Sequence, residues 1–263
     1  SPEAVFVWKT DASSLQDRQG FERAGYTVTN DVFSPAIVAE LPRKLVIKPN
    51  VNIGWDETPD GRIIRGIWLT DFVGGMVDAF KELGAPNIAV GGGGPAMYKD
   101  WGYDTMAASR GVELLDSEHI GPNDLNWVRV NGFIAKDIPY VKPIGDPDTG
   151  FINVPCLKTH NLSITTLSVK NLQGVIATGY NHFCHSLKDV EKYPPEVLGH
   201  FQPNFSKTVL EGMKRHLAEG YPEWNENGER DEIYCQRACD AVLGVKTMIN
   251  IVERVVGRDG TGF

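Results

Sequence analysis

The sequence predicts an α/β domain: a mostly parallel sheet flanked by helices in Rossmann-like layers, with an inserted β-hairpin. Three observations predict it. Short apolar runs alternate with polar or helix-patterned stretches along the chain, the order of β–α–β units. Phe72, Val73, Met76, Val77, Phe80 and Leu83 repeat at three and four residues, which places one stripe on a core. Asn131-Gly132 stands between two apolar runs, and both residues tolerate the positive φ of a tight hairpin turn.

The elements follow in order. Ala4 to Trp8 reads as the first strand. Lys9 to Asn30 is polar, with Ser13 and Ser14 as helix-cap candidates before Leu15. Lys44 to Ile47 reads as the second strand, closed by Lys48-Pro49-Asn50-Val51-Asn52, because proline cannot donate to a sheet ladder. Gly54 to Ile67 is loop-like. Thr70 and Asp71 are placed to cap the amphipathic helix, which Gly84 and Pro86 end. Asn87 to Val90 reads as a strand that runs into the loop Gly91 to Pro95. A helix over Trp101 to Arg110, a strand over Val112 to Leu115 and a hairpin insertion over about 126–140 come next. Phe151 to Val154 is a buried strand. Residues 195–244 read as a helical segment, with helices over Ser206 to Tyr221 and Glu229 to Leu243. Thr247 to Val252 is the last strand.

At 263 residues the chain suits one α/β domain over its whole length. A formal net charge of -8 argues against general nucleic-acid binding, which needs a basic face. No apolar run approaches the roughly 20 residues that span a bilayer. The chain opens Ser1-Pro2 without an initiator Met and closes on the glycine-rich Gly257 to Phe263, so a missing C-terminal part is expected. A cytoplasmic chain and an exported chain whose signal peptide has been removed both fit.

If the strands are parallel, four of their ends share one edge of the sheet, where ligands of such folds sit. These are Lys48 to Asn52, Gly91 to Pro95, Lys158-Thr159-His160 and Gly257 to Gly262. The first candidate constellation is Lys158, His160, Lys170 and Asn171, joined by Lys48, Asn50 and Asn52. Ammonium groups supply charge and amides supply directed hydrogen bonds, which suits a small anion such as a carboxylate or phosphate. His160, with Lys158 beside it, is the candidate proton-transfer group, since an imidazole titrates near neutrality. The competing account makes these lysines surface residues and His160 a helix cap. Gly92 and Gly93 could present backbone N–H groups to an anion, although Gly91 to Gly94 matches no nucleotide-loop spacing.

A second candidate is a transition-metal or redox site at His182, Cys184 and His185, with His160 or Cys156 completing the ligand set. Cys235 and Cys239, four apart on a helix, read as packing residues. No ferredoxin-type cysteine series is present. A third reading is a non-catalytic interaction module whose polar cluster is structural.

The run Val154-Pro-Cys-Leu-Lys-Thr-His160, followed by Thr165-Thr-Leu-Ser-Val-Lys-Asn-Leu-Gln-Gly174, resembles the signature of the family known as "domain of unknown function 362". Lys48-Pro-Asn50 and the helix opened by Thr70-Asp71 resemble its first half, and Ile251 to Gly262 the entry to its last third. The resemblance implies a bacterial or archaeal source and an α/β fold, but no reaction. Some members of that family carry a ferredoxin-type module or an export signal. This chain departs from the pattern at Cys156, where a lysine or another polar residue is expected, and at Glu253, where an aspartate is expected.

Overall fold

A computed structural model describes residues 5, 7–14, 16–51, 67–85, 87–160, 164–177, 195–203 and 229–258. Its centre is a five-stranded, wholly parallel sheet in the order β3-β2-β1-β6-β9. The strands are β1 (Lys44–Pro49), β2 (Ile88–Gly93), β3 (Glu113–Asp116), β6 (Thr149–Val154) and β9 (Thr247–Asn250). The chain builds outward from β1 through β2 to β3. It then crosses back to the other side of β1 for β6 and β9. The direction of winding therefore reverses between β1 and β6, and this is the topological switch point of the sheet.

β1, β2 and β6 are buried on both faces, as parallel strands covered on two sides must be. Leu45, Ile47, Val90, Ile152 and Val154 face a layer formed by α1 (Arg18–Val32), α3 (Ile67–Glu82) and α5 (Tyr103–Arg110). In α3, Val73, Met76, Val77 and Phe80 are fully buried, each worth about 1.5–3 kcal/mol of transfer free energy. The cross-contact of α1 and α3 depends on two glycines. A Cβ at Gly25 would lie 1.9 Å from the Phe72 carbonyl oxygen, and one at Gly75 1.9 Å from that of Glu22. Only bare backbones can approach so closely.

Val46, Ala89, Leu115 and Phe151 face the opposite layer. There lie the hairpin β4 (Leu125–Arg129) and β5 (Asp137–Val141), the short helix α6 (Ser168–Asn171), the 3₁₀ turn Leu172–Val175 and α8 (Glu229–Gly244). Asp240 of α8 secures the hairpin turn by accepting from the N–H groups of Phe133, Ile134 and Ala135 at 2.6, 2.9 and 2.9 Å. α4 (Pro95–Trp101), α2 (Pro35–Ala39) and α7 (Pro195–Leu198) complete the described helices. No described helix is long and apolar enough to cross a membrane.

Several expectations need correction. Val5 and Val7 are 88% and 92% exposed and no strand includes them or Trp8, while Ala4 and Phe6 lie outside the described residues. The polar stretch holds α1, and its cap is Asp17, which accepts from Gly20 N at 2.9 Å; Ser13 instead donates to Asp17. α3 begins before Thr70 and Asp71, so neither caps it. Thr70 donates to the Trp101 carbonyl, and Asp71 pairs with Arg18 across to α1. Gly91 to Gly93 belong to β2 rather than to a loop. The helix expected over Trp101 to Arg110 is α5, and a separate helix not expected from the sequence, α4, precedes it and ends at Trp101, with Gly102 at φ 75° between them. The hairpin is present, but its connection is 130–136, so Phe133 and Ile134 are loop residues. β10 (Glu253–Arg258) follows β9 in a separate sheet; of the loop expected over Gly54 to Ile67, Ile67 instead opens α3 and the rest lies outside the described residues, as does the helix expected over 206–221.

Candidate functional site

The apolar face of the sheet turns polar at its carboxyl end. On β1, Val46 is followed two residues on by Lys48; on β6, Phe151 is followed by Asn153. The period of two keeps each pair on one face. The register aligns Lys48 with Asn153 and Asn153 with Asn250, so three polar residues form one row across β1, β6 and β9. This row crosses the switch point.

α6 delivers Asn171 onto the row. Its amide makes four hydrogen bonds. Oδ1 accepts from Lys48 Nζ and Asn50 Nδ2, both at 3.1 Å. Nδ2 donates to the Lys48 carbonyl at 3.2 Å and to Asn153 Oδ1 at 2.7 Å. Asn153 Nδ2 passes the chain on to the Ser168 carbonyl at 2.8 Å and Asn250 Oδ1 at 2.9 Å. Lys48, Asn50, Asn153 and Asn171 are all buried. Buried polar groups persist where their bonding capacity is met, and each partner here also fixes the orientation of the next amide.

Lys48 is a 2% exposed ammonium at the end of a central strand. Besides Asn171, it donates to the Pro49 carbonyl at 2.6 Å. Two glycines make room for it. Gly92 sits at φ +113°, where the register of β2 against β3 shifts, and a Cβ there would lie 2.5 Å from Lys48 Nζ. A Cβ at Gly174 would lie 2.9 Å from the same atom. Gly93 continues the edge. Its carbonyl accepts from Ser117 N at 3.1 Å and Oγ at 3.0 Å, and its N–H donates to the Tyr98 hydroxyl at 3.1 Å. Burial pushes the Tyr98 hydroxyl pKa up, so it remains a donor to the Leu115 carbonyl at 2.6 Å.

Lys48, Asn50, Asn171 and Gly92 thus form one assembly, and Gly93 adjoins it. Lys170 is half-buried on α6. Lys158 and His160 lie on β7 (Cys156–His160), which follows β6 after Pro155. β7 pairs antiparallel with β8 (Ile164–Thr166), placing Lys158 opposite Thr166 and His160 opposite Ile164, and parallel with β10. This excursion leaves the end of β6 and returns to α6, so it is rooted at the edge that holds Asn171. Lys158 and His160 therefore occupy a separate sheet rather than an extension of β6; of these two residues only the strand placement is described. Asn52, His182, Cys184 and His185 lie outside the described residues.

Among the described residues no group of three or more His, Cys, Asp or Glu side chains suits a metal ion. Cys156 is half-buried, and Cys235 and Cys239 are exposed rather than packed in the core. Sequence reasoning missed Asn153 and Asn250. The signal for Asn153 was a single amide inside an otherwise apolar run, at the parity that matches Lys48; Asn250 is the exposed last residue of β9 and only the register brings it to the row.

A second polar group lies at the hairpin. Asp137 accepts from Arg129 Nε at 2.5 Å and shares a 2.8 Å hydrogen bond with His200 Nδ1. The His200 ring stacks on Trp127, with centroids 3.7 Å apart and planes 13° from parallel. The His200 carbonyl also accepts from Lys136 N and Asp137 N. These bonds clamp residues 195–203 onto the hairpin.

A family model described as Domain of unknown function (DUF362) matches residues 45–263. No curated protein and no solved structure matches the chain.

Proposed function

Because the chain belongs to the family described as Domain of unknown function (DUF362), whose description carries no reaction, we propose a function from the geometry of the sheet edge: the protein binds a small anionic ligand there. The observation that carries this reading is the polar row Lys48–Asn153–Asn250 at the carboxyl ends of β1, β6 and β9. The row crosses the switch point between β1 and β6, the crevice where open parallel sheets bind their ligands. A buried ammonium raises the potential of that edge, and the interlocked amides hold it in one geometry at no cost of reorganisation on binding. β7, which carries Lys158 and His160, is rooted at the same edge. In this reading Lys158 adds positive charge, and His160 is the proton-transfer group of any reaction run on the bound anion.

Thermal unfolding in titrations of inorganic phosphate and of malonate tests the proposal. A ligand that binds only the folded state stabilises it by about 2.7 kcal/mol at a hundredfold excess over Kd. The wild-type protein is expected to gain stability with at least one of the two anions. Lys158→Met and His160→Ala are expected to fold and to lose that gain. Variants that respond as the wild type does would remove Lys158 and His160 from the site, and a wild type with no response to either anion would remove the anion reading itself.

A further inference from the structure

We propose that Arg258 is an anion-binding residue: the register of the three-stranded sheet sets it beside Lys158, and the two take one oxyanion, a phosphate or carboxylate group, with the guanidinium as a two-oxygen fork. This rests on the anion reading of the same edge. β6 and β9 are neighbours in the main sheet, and the strands that follow them, β7 and β10, are neighbours in the sheet β10-β7-β8. The smaller sheet therefore grows from the carboxyl ends of β6 and β9. Its register places Arg258 at Lys158 on one side and Thr166 at Lys158 on the other. Register partners stand on the same face of a sheet, so Arg258, Lys158 and Thr166 form one row across β10, β7 and β8. The period of two sets His160 on that face of β7 as well, one place further along.

The way Arg258 reaches this row is informative. A ladder continued regularly from the pair Glu253 and Cys156 would bring Val255 to Lys158. The register instead shifts, so that β10 advances five residues while β7 advances two, and a cation takes the place of an apolar residue. Bulges re-aim residues in this way and are concentrated beside functional sites. Two cations side by side on neighbouring strands repel, and the pairing costs stability unless an opposite charge is shared between them. Glu253 stands one row back, at Cys156, and offsets only one of the two, so the face keeps a net positive charge. The residue types then select the ligand. A guanidinium is a planar fork that matches two oxygens of a carboxylate or phosphate, an ammonium adds a point charge, and a threonine hydroxyl adds a donor. A cationic ligand is repelled by the same row.

Arg258→Met and Arg258→Lys test this in the full chain, with inorganic phosphate and malonate titrated separately and followed by calorimetry and thermal unfolding. Arg258→Met removes one of two like charges and is expected to melt at or above the wild-type temperature without anion, while its anion affinity falls by about tenfold or more. Arg258→Lys keeps the charge but not the fork, and is expected to bind more weakly than the wild type and more tightly than Arg258→Met. A wild-type response confined to phosphate or to malonate, and lost in Arg258→Met, supports the proposal and identifies the class. An Arg258→Met protein that binds as the wild type does overturns it, whatever its melting temperature. Should Arg258→Met not fold, Arg258→Lys decides, and wild-type affinity in that variant overturns the proposal. The two failures are distinct. A silent wild type sinks the anion reading and this proposal together. A responsive wild type, with Lys158→Met silent and Arg258→Met responsive, sinks this proposal alone.

Discussion

Lys48 and Asn153 stand opposite one another in the register of β1 and β6, and one amide, that of Asn171, is bonded to both. Asn171 comes from outside the sheet, 123 residues beyond Lys48. It therefore ties the two strands of the switch point to α6 as well as to each other. No other residue type of its size offers two acceptor sites and two donors on one planar group, which the four bonds of Asn171 use in full.

Asn171→Ala should accordingly be among the most damaging changes at this edge. It removes all four bonds and leaves the Lys48 ammonium and the Asn153 amide short of partners in a buried site. At about 1–3 kcal/mol for each orphaned group, the loss should reach about 3–5 kcal/mol. Asn171→Asp keeps the size but loses the two donated bonds, and should recover only part of the loss. Urea midpoints at unchanged m-value measure both. A loss below about 1 kcal/mol for the alanine variant would mean that the edge is held by other contacts.

The glycines beside Lys48 give a graded test. An alanine at Gly92 would adopt φ +113° and meet Lys48 Nζ at 2.5 Å and Cε at 2.7 Å. Backbone strain of about 1–2 kcal/mol adds to the displacement of a buried ammonium, for a loss of about 2–4 kcal/mol. Gly91→Ala meets only the Leu115 side chain, at 3.3 Å, and should cost under about 1 kcal/mol. Gly174→Ala, at 2.9 Å from Nζ, should fall between them. The order of unfolding midpoints, Gly91→Ala above Gly174→Ala above Gly92→Ala, is the measurement. A Gly174→Ala loss no greater than that of Gly91→Ala would show that the ammonium moves aside freely.

The same residues explain what could be read in the chain. The layered fold was legible because β1, β2 and β6 are apolar runs buried on both faces and α3 repeats at three and four. α1 was not, because its polar composition and its glycines weaken the local signal; Gly25 is there to let the Phe72 carbonyl approach, a purely tertiary reason. Gly91 to Gly93 read as a loop because glycine disfavours strands, yet they continue β2, and Lys48 takes the space a side chain at Gly92 would fill. At the site, Lys48, Asn50 and Asn171 stood out as polar residues at the ends of apolar runs. Asn153 did not, since a lone amide between Ile152 and Val154 gains meaning only when the register sets it beside Lys48.

At the far end of the same edge, Asp116 closes β3 and couples stability to pH. Burial pushes its carboxyl pKa up, but the His119 and Glu118 N–H groups, at 3.0 and 2.8 Å, and the His119 ring together outweigh that and bring it below the ordinary value of 3.8. Asp17, the cap of α1, is lowered in the same direction by the Ser13 and Gly20 N–H groups. The sign follows from linkage. The folded state prefers the deprotonated carboxylates, so below 3.8 the unfolded chain binds more protons. Their contribution is complete above the unfolded value and is lost as pH falls toward the folded one. In Asp116→Asn that contribution is absent at every pH. Unfolding free energies measured from about pH 5 down to about pH 2.5 should therefore show wild type and Asp116→Asn converging as the solution becomes more acid, with the wild type falling more steeply. Curves that stay parallel over this window would mean that the three donors do not hold the carboxylate in its charged form, and that the close of β3 is set by packing alone.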